Sequence, residues 1–361
     1  MSRVFWKGKR VLLTGHTGFK GAWLSLWLES LGADVTGYAL APPTSPSLFQ
    51  ITEVAEGMRS LRGDVRDLER LTQALKDYRP QVVFHLAAQS LVRASYRDPV
   101  ETYTTNILGT VNLLEAVRRT GGVRVVINVT SDKCYENDGR LTGYAEIAPM
   151  GGHDPYSSSK GCAELVTAAY CRSFFHADSL PAMDVAVASV RAGNVIGGGD
   201  WAEDRLVPDC MQALMGSQPI RIRNPDAVRP WQFVLEPLGG YLLLAERLWQ
   251  SGADYVGAWN FGPAAADAKS VRWAVERLIQ LWGEEASWVQ DRGCHPHETR
   301  YLQLDCSKAR TRLGWRPRTD VDQALRWVVD WYKAFCASRD PRAVTLEQIA
   351  EFTSLGRRLS G

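Results

Sequence analysis

The stretch from Arg10 to Gly21 limits the possible folds of this chain more than any other. Arg10-Val11-Leu12-Leu13-Thr14 reads as a strand and runs directly into Gly15-His16-Thr17-Gly18-Phe19-Lys20-Gly21, glycines in the spacing TGxxGxxG, with a helical stretch after it. Strand, glycine turn and helix in that order form the first unit of a parallel sheet. The amides at the start of such a helix make a seat for the pyrophosphate of a dinucleotide. Gly15 would allow the tight turn, Gly18 the approach of phosphate oxygens to the backbone, and Gly21 the close packing of helix on strand. The glycines alone would serve equally well as a plain turn; the strand before and the helix after favour the dinucleotide.

From the start to about residue 195, short apolar runs alternate with helical stretches, the pattern of a doubly wound parallel α/β sheet of the Rossmann type. The expected strands are 10–14, 34–38, 58–62, 81–86, 124–129 and 184–191. Leu40 to Leu48 is rich in Pro and Ser and is expected as a loop on the cofactor side. Past residue 195 the Gly197-Gly198-Gly199 run breaks the pattern, and shorter elements follow, with a terminal helix expected from Thr345. A chain of 361 residues exceeds a single core. The division expected is 1–195 for a dinucleotide-binding domain and 196–361 for a smaller α/β substrate lobe, whose strands are free to return to the first sheet.

Charge and cysteine content exclude several classes of function. Lys plus Arg number 42 against 40 Asp plus Glu, too even a balance for a nucleic-acid surface. The seven Cys are odd in number, scattered and without a CxxC pair, so they read as reduced thiols of a cytoplasmic protein. Met1 to Arg10 is basic but lacks the apolar stretch and cleavage site of a signal peptide, so none is expected there, and no run reaches the ~18 apolar residues of a membrane span. His295 and His297 lack a third ligand at a useful spacing, so no metal is expected.

The acidic residue that usually binds the cofactor's ribose is missing, since the second strand ends in Thr36-Gly37-Tyr38-Ala39-Leu40. No Arg replaces it, and the lack of a basic group for a 2′-phosphate leans toward NAD. Asp64 either caps a turn or holds the adenine amine. Tyr156-Ser157-Ser158-Ser159-Lys160 puts a phenol and an ammonium one turn apart on one helix face. A cation there lowers a Tyr pKa and lets it act as a base. Alone, the spacing is better explained by an ordinary amphipathic helix with an exposed Lys and a half-buried Tyr. Ser131 changes the balance, because it follows the strand 124–129, whose C-terminal end faces the ligand crevice of such a sheet.

The Gly15–Gly21 turn, His85-Leu86-Ala87-Ala88, Asn106, Ser131, Tyr156 with Lys160 and Leu313-Gly314-Trp315-Arg316-Pro317 span nearly the whole chain. By these positions it is identified as a member of the extended short-chain dehydrogenase/reductase family. The resemblance implies that Gly15, His16, Thr17, Gly18, Phe19, Gly21, Asp64, Val65, Leu86, Ala87, Ala88 and Gln89 hold the cofactor. It implies that Tyr156 takes the substrate proton, Lys160 binds the nicotinamide ribose and Ser131 orients the substrate hydroxyl. Ser131-Asp132-Lys133 resembles the nucleotide-sugar 4,6-dehydratases, which place an acid and a base after the Ser or Thr. Enzymes for dTDP-glucose and GDP-mannose carry Glu in place of Lys133. Ser-Asp-Lys and the loop from Gly37 to Thr44 are similar to the branch acting on CDP-glucose, where NAD is expected. Standing alone, Asp132 and Lys133 would be a solvated turn.

The resemblance also implies that Asn194 and Arg229 meet the sugar diphosphate, with His297 or Arg300 near the nucleotide; by itself Asn194 could equally hold a glycine-rich turn. The family commonly dimerises through two helices, here expected at Val100 to Arg119 and Tyr156 to Phe175, so a homodimer or higher homo-oligomer is expected. The chemistry implied is oxidation at C4 by Tyr156 and NAD, loss of water across C5 and C6 with Asp132 as acid and Lys133 as base, and return of the hydride to C6. In a second version Lys133 polarises the ketone instead. The competing functions are a dehydratase for another nucleotide sugar, a 4-epimerase that needs neither Asp132 nor Lys133, and a non-catalytic NAD-binding protein.

Overall fold

A computed structural model describes residues 2–140, 142–175, 185–283, 286–293 and 301–358. The six expected strands form as β1 (Arg10–Thr14), β2 (Asp34–Ala39), β3 (Arg59–Arg62), β4 (Val82–His85), β5 (Val125–Val129) and β6 (Ala186–Ala192). They are parallel throughout, in the order 3-2-1-4-5-6 that defines a doubly wound dinucleotide-binding sheet. The Val125-Val126-Ile127-Asn128-Val129 strand is buried along its length, because helices cover both faces of a parallel sheet.

A seventh parallel strand, Gly257–Phe261, extends the sheet beyond β6 and sets Asn260 opposite Arg191. It arrives from the second half of the chain after the long helix Leu235–Tyr255. The rest of that half builds three small strand pairs above the sheet: Val195–Ile196 with Gln232–Phe233, Val228–Pro230 with Ala268–Ser270, and Ile220–Ile222 with Trp288–Gln290.

The helix after the glycine turn, Phe19–Ser30, is buried from Gly21 to Leu28 on every side. Trp23 meets Phe233 edge-on at 5.9 Å, and Trp27 meets Phe352 of the last helix, Pro341–Arg358, at 5.7 Å. Most Trp residues thus belong to the core, with Trp6, Trp23, Trp27, Trp259 and Trp331 fully enclosed. No helix among the described residues is long and apolar enough to cross a membrane.

Candidate active site

The C-terminal ends of the strands and the small strand pairs above them enclose a cleft of about 1170 Å³. At one end lies the glycine turn. Gly15 has φ +75°, and a Cβ there would sit 2.7 Å from the Ala87 amide nitrogen, so the turn lies directly on the loop after β4. A Cβ at Gly21 would sit 2.1 Å from the Gly15 carbonyl oxygen, whereas one at Gly18 would find only that oxygen, at 3.5 Å. No side chain caps the helix start at Gly18, so its first amides face the cleft. This cradle fits a dinucleotide: close-packed beneath, open above, with free amides at a positive dipole end.

Thr17, Phe19, Val65 and Leu86 through Gln89 also line the cleft. Thr17 ties the turn to the loop after β2 by donating to the Leu40 carbonyl at 3.1 Å. Asp64 lines it as well, paired with Arg66 at 2.6 Å, a bond that holds its carboxyl below the usual range. The His16 side chain packs between the turn and β2. Its imidazole is fully buried, hydrogen-bonded through Nε2 to Ser60 at 2.7 Å. It fills the space left by Gly37, where a Cβ would sit 2.3 Å from the ring. Burial pulls its pKa down to about 4.

Tyr156 and Lys160 ride on the helix Pro155–Ser173, whose start is well defined: Pro155 occupies its first turn and Asp154 caps it, accepting from the Ser157 amide at 2.9 Å. Such a cap stabilises a helix by about 1 kcal/mol. Spacing of four residues then directs both side chains into the cleft, where both are buried. Packed against this helix is the short turn Ser131 to Cys134 after β5, in which the Ser131 hydroxyl accepts from the Lys133 amide at 3.3 Å and donates to Asp132 at 3.1 Å. Asn106, in a π-helical turn at Thr104–Leu108, donates to Ser159 at 2.8 Å and to the Gln89 carbonyl at 3.0 Å. It locks the loop after β4 to the Tyr156 helix, and π turns of this kind often sit at functional sites.

Burial raises the Tyr156 phenol to about 12, against a hydrogen bond with Ser131 that favours the phenolate. Burial lowers Lys160 to about 8, helped by the nearby charge of Lys20. Asp132 is raised by burial, with Lys133, Ser131 and Lys20 acting in the opposite sense. A carboxyl shifted toward its neutral form can give a proton. The Tyr156 phenol, by contrast, is raised rather than lowered as its spacing from Lys160 leads one to expect, because the cost of burying a phenolate outweighs the neighbouring cations.

Asn194 and Arg229 line the same cleft, and the loop at Gly193 comes so close that a Cβ there would sit 2.8 Å from Asp132 Oδ2. His297 and Arg300 lie outside the described residues. Two cleft residues have no counterpart among the expected ones. Arg205 donates to Asp200 at 2.9 Å and to Ser90 at 3.0 Å, placing its charge near Tyr156. Lys20 sits in the first turn of the cofactor-side helix, its pKa lowered by burial to about 8. A cation where the helix dipole disfavours one was the available signal for Lys20. Among the described residues no group of three or more His, Cys, Asp or Glu is placed to hold a metal ion.

A family model described as GDP-mannose 4,6 dehydratase matches residues 12–328. The chain is 52% identical over 358 residues to a CDP-glucose 4,6-dehydratase of Salmonella typhimurium, covering 99% of this chain and all of the relative. It is 26% identical over 344 residues to a probable dTDP-glucose 4,6-dehydratase of Sinorhizobium fredii, covering 90% and 92%. Among solved structures, a UDP-glucose 4-epimerase of Thermotoga maritima with UDP-glucose superposes with a TM-score of 0.78 at 22% identity, covering 90% of this chain and 99% of the other. MoeE5 in complex with UDP-glucose and NAD superposes with a TM-score of 0.75 at 25% identity, covering 91% and 100%.

Proposed function

Because the chain belongs to the GDP-mannose 4,6-dehydratase family, we propose that it converts CDP-D-glucose to CDP-4-keto-6-deoxy-D-glucose and water. The observation that carries the reading is the Ser131-Asp132-Lys133 turn packed beside Tyr156 and Lys160 in one cleft, in a chain 52% identical to a CDP-glucose 4,6-dehydratase. The enzyme is an NAD-dependent hydro-lyase. NAD, when bound, accepts the hydride from C4 of the sugar and gives it back at C6.

The glycine cradle holds the cofactor, with Lys160 at its ribose and Asn194 and Arg229 on the sugar diphosphate. Tyr156 removes the 4-hydroxyl proton while Ser131 keeps that hydroxyl in line. The ketone so formed acidifies the C5 hydrogen. Lys133 takes that proton, the C6–O bond breaks, and Asp132 protonates the departing hydroxyl, so that water leaves. A proton returned to C5 completes the product, which is poorer than the substrate by one water and unchanged in overall oxidation state. The second half of this sequence requires an acid and a base beyond Tyr156, and Asp132 with Lys133 supplies the pair.

The reading extends to assembly and place. Val100, Leu108 and Leu165 expose large apolar side chains, as does Tyr103 to a lesser degree, all on the helices Pro99–Tyr103, Thr104–Leu108 and Pro155–Ser173. Their packing against the same face of a second copy makes the chain a homodimer. The unpaired thiols of Cys134, Cys162, Cys171, Cys210, Cys306 and Cys336 suit the cytoplasm, where the enzyme acts.

The test is product mass after incubation with NAD and, separately, CDP-glucose, dTDP-glucose, UDP-glucose and GDP-mannose. Loss of one water from CDP-glucose alone is expected. Loss from another sugar nucleotide instead would overturn the base specificity, and loss from none would overturn the dehydratase.

A further inference from the structure

Behind the Ser131–Cys134 turn lies an ion pair that none of the steps above uses. Arg191 of β6 and Glu164 of the Tyr156 helix, 3% and 5% exposed, are joined by two parallel bonds, Nε to Oε1 at 2.9 Å and Nη2 to Oε2 at 2.8 Å. Burial opposes both charges, yet the paired bonds hold Glu164 below the ordinary carboxylate range and Arg191 above its own.

The partners this pair recruits are specific. Thr130, the residue before Ser131, donates its hydroxyl to Glu164 Oε1. Ser189 donates to Oε2 at 2.6 Å. On the other side, Arg191 Nη1 donates to the Tyr135 hydroxyl at 2.5 Å, and Tyr135 immediately follows the turn. Tyr135 passes the contact on by donating to Asn260 Oδ1 at 2.8 Å, on the strand that returns from the second half of the chain. The residues flanking Ser131-Asp132-Lys133-Cys134 are therefore both fastened to one buried pair, and one member of that pair stands a single helical turn beyond Lys160.

We infer that Glu164 and Arg191 are positioning residues: acting through Thr130 and Tyr135, they hold Asp132 and Lys133 in register with Tyr156 for the elimination of water. A pair of this kind contributes little net stability, since burying two charges cancels much of their attraction. Its geometric effect is larger, because the acid and the base must reach C5 and the 6-hydroxyl while Tyr156 stays on C4. A displacement of about 1 Å at such groups costs up to about 100-fold in rate.

The inference rests on the dehydratase reading, and the experiment separates the two. Tyr135→Phe and Thr130→Val each remove one hydroxyl, keep the side-chain shape and leave the ion pair whole. Wild type and both variants are turned over with CDP-glucose and NAD, quenched with borodeuteride, and their sugars weighed. If wild type forms no dehydrated sugar, the functional reading has failed. Otherwise both variants are expected to keep the wild-type melting temperature within a few degrees and KM within about twofold. Turnover is expected to fall about tenfold. The quench should trap C4-oxidised sugar that still carries its 6-hydroxyl, a species a merely structural defect would not enrich. Unchanged turnover, or slower turnover without that species, overturns the positioning role.

Discussion

Replacing Gly21 with Ala asks whether the cradle works by contact distance. The added Cβ would lie 2.1 Å from the Gly15 carbonyl oxygen and 2.7 Å from His16 Cα, both backbone atoms that cannot rotate aside. An ordinary carbon–oxygen contact is about 3.3 Å, so turn and helix must part by about 1 Å. Overpacking of this kind costs about 1–3 kcal/mol. The melting temperature of a chain of 361 residues should then fall by roughly 1–4 °C. The parted turn also misplaces the helix amides, so NAD binding should weaken. Gly18→Ala is the matched control: its Cβ meets only an ordinary contact at 3.5 Å and otherwise points into open cleft, so it should melt with wild type yet obstruct the cofactor. Thermal unfolding with and without NAD reads both effects. NAD at about 100 times its Kd stabilises wild type by about 2.7 kcal/mol, and neither variant should gain that much. A Gly21→Ala protein that melts with wild type and keeps the full NAD shift would show that the cradle does not depend on this contact.

Three further outcomes are expected. Lys160→Met should collapse turnover and yet stabilise the cofactor-free fold at neutral pH by on the order of 1–3 kcal/mol. The sign follows from a folded pKa of about 8 against 10.5: below 8 the penalty for the buried charge is complete, and it fades as pH rises toward 10.5, so the gain measured by denaturant titration should shrink over that range. Asp132→Asn should oxidise CDP-glucose at C4 but dehydrate it about 10²–10⁴-fold more slowly, since it removes an acid and leaves Tyr156 in place; equal losses in both halves, seen by quenched-flow mass analysis, would contradict its assigned step. Leu165→Glu places a charge on an exposed apolar helix face and should convert a dimer to monomer in sedimentation, whereas an unchanged mass would move the interface elsewhere.

What could be seen in the sequence follows from the range of the interactions involved. The six strands and the glycine turn declare themselves because each depends on residues within a few positions of one another. Tyr156 and Lys160 do so as well, four apart on one helix. Gly257–Phe261 does not, because the five residues Gly-Ala-Trp-Asn-Phe are too few to carry a period that assigns them to a sheet, and their partner β6 lies more than sixty residues earlier. The His16 ring needed knowledge of Gly37, the vacancy on the neighbouring strand that receives it. The Glu164–Arg191 pair is joined across 27 positions, with partners at Thr130, Tyr135 and Ser189, and no local pattern marks such a network. Lys20 was visible as an anomaly, a lysine in the first turn of a phosphate-binding helix, but its neighbours Arg205 and Asp132 come from distant segments.

Dehydration by this route needs one hydride to leave C4 and return to C6 of the same sugar, with loss of water between. CDP-glucose bearing deuterium at C4, turned over in ordinary water, tests it most directly by mass and by the position of the label in the product. A product lighter by one water with the deuterium at C6 is expected. Deuterium remaining at C4, deuterium lost to solvent, or a product that keeps its full complement of oxygen would contradict it.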